Sequence, residues 1–290
     1  MNDVRDRVEQ VVRQVVMETV AAGELDPQRL VERDGRRPLV AANWKMNLLS
    51  ADARRYAAGF DARPDSGVEA LLCPPLVLLP VVRENLLVDG RVSLGAQDLH
   101  PEHPGAHTGE HCAEMIKDAG ASYVIVGHSE RRAAGEDDEL VRRKMLSAQA
   151  SGLVPIVCIG ERIDERTKGA TFRVLRSQIS LAFSGIGPPA PDPGGIVVAY
   201  EPVWAIGSGL VATPDQAQEA LAFIRQRLSE IFTHAWAERT RLLYGGSVGV
   251  ANAAELARLP DCDGFLVGGA SLNPETLSEI IAIVAKERRQ

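Results

Sequence analysis

The sequence predicts an α/β protein, a (β/α)8 barrel preceded by an N-terminal helical extension, and three observations carry that prediction. Eight short runs of aliphatic and β-branched residues follow one another from Pro38 onward, separated by stretches with helical periodicity. The runs do not alternate apolar with polar residues, as suits strands of a parallel sheet covered on both faces. Eight such units in about 250 residues match the size of a closed barrel.

The strand segments, in order, are PLVAAN from Pro38, VEALLC from Val68, VSLGA from Val92, SYVIVG from Ser122, VPIVCIG from Val154, GIVVAY from Gly195, RLLYGG from Arg241 and GFLVGG from Gly264. Helical spacing of apolar residues marks Asp138 to Ser151, Thr213 to Phe232, Val250 to Leu259 and Pro274 to Arg288. The start at Thr213 is strongly signalled: a threonine cap, proline in the first helical position and glutamine three residues after the cap. An open doubly wound sheet is the competing architecture, but no GxGxxG follows the first strand and no acid stands where a ribose would need it. The division is therefore an extension and linker over residues 1–37 and a barrel over residues 38–290.

Composition removes several classes of function. At 290 residues, 45% hydrophobic and 24% charged, the chain buries a full core as one large domain. A net charge of -7 repels nucleic acid and anionic membranes. No apolar stretch is long enough to span a bilayer, and acids spread through the first 18 residues (Asp3, Asp6, Glu9, Glu18) argue against a signal peptide. Cys73, Cys112, Cys158 and Cys262 form no CxxC pair, and two lie inside apolar runs, so they read as buried, reduced thiols of a cytoplasmic protein.

A barrel of this kind gathers its active site at the C-terminal ends of the strands. The polar residues there are Asn43-Trp44-Lys45 after the first strand, Gly127 to Arg132 after the fourth, Glu201 after the sixth, Tyr244 to Ser247 after the seventh and Gly268-Gly269 after the eighth. A lysine, a histidine and a carboxylate converging on one mouth, opposite glycine-rich turns, suit an anionic substrate whose carbon acid must lose a proton. Glycines let backbone N–H groups approach phosphate oxygens closely.

At these residues the chain resembles the triosephosphate isomerase family, through AANWKMN, GHSERR, AYEPVWAIGSG, YGGSV and GFLVGGASL, five motifs in one order from about Pro38 to the C-terminus. The resemblance implies a TIM barrel that interconverts glyceraldehyde 3-phosphate and dihydroxyacetone phosphate through an enediolate, in glycolysis and gluconeogenesis, without cofactor or metal. It makes Glu201 the base, His128 the electrophile, Lys45 the cation and Asn43 an amide donor; the base, the neutral histidine and the water-excluding loop are the general scheme of this enzyme. It further implies that Ser129 holds the carboxylate when the site is empty. The backbone of Gly207, Ser247, Gly268 and Gly269 grips the phosphate. Ala205 to Gly209 form a lid hinged at Pro202-Val203-Trp204 and latched by Tyr244 and Ser247. The segment HPEHPGAHTGEH resembles the loop with which each subunit of a homodimer plugs its partner, Thr108 reaching the neighbour's Asn43 and Lys45. His103, His107 and His111 recur every four residues, but Pro104-Gly105 and Thr108-Gly109 break any helix that could make them a metal face.

The chain departs from the family pattern at Ser208 and Leu210 in the lid, at Asp98, at His107, and in the turn after GHSERR, which is one residue short. The departures leave two rival functions: the same isomerisation on a longer phosphorylated sugar such as a tetrulose phosphate, or a non-catalytic sugar-phosphate-binding scaffold. Residues 1–37 lie outside the resemblance. Val4, Val8, Val11, Val12, Val15, Val16 and Val20 form an apolar stripe at helical spacing, opposite a mixed charged face. That stripe packs on the chain's own barrel, or frays, or docks on a protein partner; the last option resembles peptides that recruit enzymes into bacterial microcompartments.

Overall fold

The structure, a computed structural model, describes residues 36–62, 66–86, 92–187, 195–206 and 210–289. The predicted helix over residues 1–20 and the tip of the lid, 207–209, lie outside them. Eight strands close into one barrel in sequence order, every neighbouring pair parallel. They are β1 (Leu39–Asn43), β2 (Glu69–Cys73), β3 (Val92–Ala96), β4 (Tyr123–Val126), β5 (Val154–Ile159), β6 (Val197–Tyr200), β7 (Arg241–Tyr244) and β8 (Gly264–Val267). Closure is made by β1 on β8, with Leu39 opposite Gly264 and Ala42 opposite Val267. Each predicted strand is present; β3 keeps its predicted bounds and the others are shorter by one or two residues in all.

The two-residue period of a strand sorts the core into two bodies. Leu39, Ala41, Leu71, Cys73, Ile125, Ile156, Cys158, Val197, Ala199 and Leu243 pack together as a cluster made of strand residues alone, which is the barrel lumen. Their chain neighbours Val40, Ala42, Leu72, Val124, Val157, Val198 and Leu242 join the larger cluster with the helices. Both faces are thus apolar, and this is why the sequence runs do not alternate. All four cysteines are free and buried, two of them, Cys73 and Cys158, in the lumen.

Eleven α-helices are defined among the described residues: α1 (Ser50–Gly59), α2 (Leu79–Leu86), α3 (Ala113–Asp118), α4 (Ser129–Ala133), α5 (Asp138–Ala150), α6 (Ile163–Thr167), α7 (Thr171–Ala182), α8 (Pro214–Ile231), α9 (His234–Arg239), α10 (Val250–Ala257) and α11 (Pro274–Arg288). The cap at Thr213 is made as the sequence signals: its Oγ1 accepts from the Gln216 N–H at 3.2 Å, and Gln216 Oε1 accepts from the Thr213 N–H at 3.1 Å. Asp137 and Asn273 cap α5 and α11 in the same manner, at 2.8 and 2.7 Å.

The barrel floor, at the N-terminal strand ends, carries a buried ionic cluster. Arg225 on α8 is fully buried; its guanidinium pairs with Asp261 and, at 2.9 Å, with Asp263, and donates to the carbonyls of Ala237 and Thr240 at 2.6 and 3.0 Å. Asp263 also takes Arg36 at 2.8 Å and Arg288 at 3.5 Å, both on Oδ1. Arg36 donates in addition to the Glu238 carbonyl at 2.9 Å and is only 5% exposed. Arg36, which the sequence reading assigns to the linker, is therefore seated in the barrel floor.

Candidate active site

At the opposite end of the strands, the residues that close β1, β4 and β6 meet. β1 ends in Asn43, 5% exposed, whose Oδ1 accepts the backbone N–H of Lys45 at 3.0 Å. Lys45 stands at φ 51°, a left-handed conformation that costs a non-glycine residue energy and is held by its surroundings. The Asn43 side chain is one restraint. Gln97 is the other, its Nε2 donating to the Lys45 carbonyl at 2.8 Å and to the Cys73 carbonyl at 2.9 Å. The ammonium so presented reaches Glu130 Oε1 at 2.6 Å and lies beside Gly268 of the loop after β8, where an added Cβ would stand 3.9 Å from Lys45 Nζ.

His128 follows β4 as the cap of α4, its Nδ1 accepting the Glu130 N–H at 3.2 Å. That bond fixes the ring proton on Nε2, which faces Glu201 Oε1 at 3.0 Å. Burial lowers the pKa of this imidazole, but the hydrogen-bonded Glu201 carboxylate more than offsets it, so its net direction is upward. Once Glu201 turns to another partner the larger support is gone; the Glu130 carboxylate, 3.7 Å from Nδ1, still favours the charged ring, while burial, Lys45 and the N–H aimed at Nδ1 favour the neutral one.

Glu201 is 2% exposed. Its second oxygen, Oε2, accepts the backbone N–H of Ser129 at 2.9 Å, so the predicted holder of the carboxylate acts through its main chain. The backbone of Glu201 is seated on β5, its N–H donating to the Ile159 carbonyl at 2.8 Å. Lys45, His128 and Glu201 are thereby brought to one mouth with Asn43 beside them.

The glycine-rich turns form the other wall. Ser247 and Gly269 are exposed, Gly268 half-buried, and an added Cβ at Gly269 would meet nothing within 4 Å, so the main chain there faces open space. The Gly268 carbonyl is turned away, accepting both the N–H and the Oγ of Ser271 at 2.8 and 2.7 Å. Tyr244 is buried, and the backbone of Ala212, just past residues 207–209, is directed at its hydroxyl. Gly207 lies outside the described residues. Leu210 and Val211, just past the lid, are about half exposed.

Residues 202–204, the predicted first hinge of the lid, rest on residues that sequence reading missed. Glu161, fully buried after β5, accepts from Trp204 Nε1 at 2.9 Å, from the Tyr200 hydroxyl at 3.2 Å and from Arg166 at 3.0 Å. Arg166 also stacks over the Trp204 ring at 5.0 Å. The signal was an acid two residues past the end of the fifth strand, in CIGE, one position beyond the level of Glu201 on the sixth. Glu130 was likewise inside a quoted stretch, GHSERR, without a role, and Gln97 lies just past the third strand segment.

Two departures from the family pattern also find their places. Asp98 points into an ion cluster with Lys144 at 2.6 Å and Arg131 at 3.0 Å, alongside Glu136. His107 stacks on His100, ring centroids 4.1 Å apart, while His103 bonds Glu114 at 2.6 Å. The segment 101–111 contains no helix, as its prolines and glycines require, and Thr108 is exposed on it. Among the described residues no group of histidines, cysteines and acids is arranged to hold a metal, and no helix is long and apolar enough to cross a membrane.

Comparison with known proteins agrees with this geometry. The family model described as triosephosphate isomerase matches residues 38–284. The triosephosphate isomerase of Mesorhizobium japonicum is 50% identical over 242 residues, 82% of this chain and 92% of that protein. Those of Carboxydothermus hydrogenoformans (45%, covering 85% of this chain and 98% of that protein) and Symbiobacterium thermophilum (44%, covering 87% and 99%) are similar over nearly their whole lengths. With eight parallel strands closed into a barrel and most of its length matched, the chain belongs to the triosephosphate isomerase family.

Proposed function

We propose that Glu201 is the base in the interconversion of D-glyceraldehyde 3-phosphate and dihydroxyacetone phosphate, the aldose–ketose isomerisation and glycolytic step that membership of this family carries. The observation that supports it is the pairing of the Glu201 carboxylate with two donors, Ser129 N–H and His128 Nε2, at 2.9 and 3.0 Å. Both bonds are local and are lost together when the carboxylate turns to a substrate carbon. Glu201 takes a proton from the hydroxyl-bearing carbon beside the carbonyl and returns it to the former carbonyl carbon, while the enediolate oxygens formed between the two steps are met by His128 Nε2–H, the Asn43 amide and the Lys45 ammonium. Backbone N–H groups of Gly207, Ser247, Gly268 and Gly269 take the phosphate. The lid then excludes water, which strengthens these interactions and protects an intermediate that would otherwise shed phosphate. Tyr244, with a buried hydroxyl facing the backbone of Ala212 at the far end of the lid, is suited to latch the closed lid with Ser247.

The longer-sugar and scaffold readings are not favoured, because the relatives bear the isomerase name and Asn43, Lys45, His128 and Glu201 are all in place. Steady-state kinetics decide between them: kcat/KM for glyceraldehyde 3-phosphate is expected to exceed that for tetrulose phosphates by orders of magnitude. A preference for a four-carbon substrate would overturn the reading.

The exposed Met46, Leu49, Val77 and loop 101–111 support a homodimer in which Thr108 completes the partner's site, in the cytoplasm. The valine stripe of residues 1–20 supports a docking role on a protein assembly such as a microcompartment shell. Since Arg36 is seated in the floor, the truncation that isolates these claims begins there. By light scattering, the full chain and the chain from Arg36 are both expected at twice the chain mass with equal kcat, only the full chain co-sedimenting with shell protein. A monomer with full activity refutes the shared site, and activity lost with residues 1–35 refutes the docking role.

A further inference from the structure

Glu201 reaches its place by way of its own main chain, and that main chain lies against Gly160. A Cβ on Gly160 would fall 1.7 Å from the Glu201 carbonyl oxygen and 2.6 Å from its carbon, so the two backbones are in direct contact and no side chain fits between them. The Glu201 N–H is bonded to Ile159, the residue before. The next residue, Glu161, accepts the Val203 N–H on its carbonyl at 3.1 Å and the Trp204 indole on its side chain. Residues 159–161 are thus the seat for residues 201–204.

What orients the seat is a single side chain. Gly160 comes just after β5 ends, and its two main-chain polar groups are taken by the carboxamide of Gln178: the Gly160 N–H donates to Oε1 at 2.8 Å, and Nε2 donates to the Gly160 carbonyl at 3.1 Å. One donor and one acceptor on a planar group fix both the position and the rotation of what they hold, and only one orientation of the amide satisfies both. Gln178 stands on α7, whose Leu175, Ile179 and Ala182 are fully buried, so the clamp is anchored in the helical layer.

We infer that Gln178 is a positioning residue for the isomerisation: by clamping Gly160 it sets the backbone from which the Glu201 carboxylate reaches the substrate carbon. This rests on the reading of Glu201 as base. Gln178 itself touches neither substrate nor carboxylate, and its effect passes through the Gly160–Glu201 contact.

The test uses Gln178→Met, which keeps the shape and removes both bonds, and Gln178→Glu, whose carboxyl reproduces the carboxamide's donor and acceptor only when protonated. A displacement of the base by a fraction of an ångström to 1 Å is expected to lower kcat by about 10- to 100-fold, with KM and the inhibition constant for inorganic phosphate unchanged. In Gln178→Glu the ratio of variant to wild-type kcat is expected to rise as pH falls through the new carboxyl's titration, because the neutral acid restores the donor to the Gly160 carbonyl. A merely structural role would lower the melting temperature and leave kcat of the folded fraction and its pH profile alone. If Gln178→Met fails to fold, Gln178→Glu still decides. Wild-type kcat in the folded variants, or a loss in Gln178→Glu that does not recover toward low pH, overturns the inference. Glu201→Asp assayed beside them separates the two readings: if it too keeps full kcat, the base assignment is what has failed.

Discussion

Glu201→Asp is expected to lower kcat by about 10²-fold or more while leaving the affinity for phosphate ligands unchanged. The substitution keeps the charge and withdraws the carboxylate by one methylene. Glu201 cannot follow by moving its backbone, because its N–H is tied to Ile159 and its carbonyl is closed off by Gly160. Gly245 blocks the other side: a Cβ there would stand 3.0 Å from Glu201 Cγ, so the residue sits with its main chain against Gly160 and its side chain against Gly245. The shortened acid therefore loses reach. Phosphate binding, which we propose for the turns after β7 and β8, does not depend on that reach. Stopped-flow and steady-state assays with inorganic phosphate as competitive inhibitor separate the two quantities. A variant with wild-type kcat would remove Glu201 from the mechanism.

The second large effect is on stability. Arg225→Met is expected to cost about 3–5 kcal/mol, the range for removing one partner of a buried ion cluster. Methionine fills much of the volume, but Asp261 and Asp263 would keep their charges without the guanidinium, and the carbonyls of Ala237 and Thr240 would lose their donor. Arg36 and Arg288 would remain on Asp263 and limit the loss at that carboxylate. Urea unfolding at fixed protein concentration measures the change, and kcat of the folded fraction is expected to stay at the wild-type value because the floor is at the far end of the strands from Glu201. A loss under about 1 kcal/mol, the size of an ordinary surface change, would contradict this account of the cluster.

The strands were legible in the sequence because a doubly covered parallel strand leaves a local trace, an unbroken aliphatic run. Val154 to Ile159 could be read from its own residues, as could the helix after Thr213, whose cap is written in four consecutive positions. The site was legible where chemistry sits at strand ends: Asn43, Lys45, His128 and Glu201 share one mouth. Residues that act by holding others left no such trace. Gln178 sits on an outer helix like any amphipathic polar residue, and its meaning comes from Gly160, 18 positions earlier. Arg225 and Arg36 read as surface charges, since burial of an arginine is decided by distant carboxylates and carbonyls. Arg36 shows the limit most plainly: Asp263, its partner, is 227 residues away.

That last pairing has a consequence for engineering. Arg36 opens the described chain at the floor, Arg288 stands at the end of the final helix, and both bind the same oxygen of Asp263, at 2.8 and 3.5 Å. The start and finish of the barrel thus lie side by side on the face away from the catalytic mouth. A circularly permuted chain needs only a short bridge to join them, and new termini opened in an exposed loop of the floor would leave every strand and the mouth unbroken.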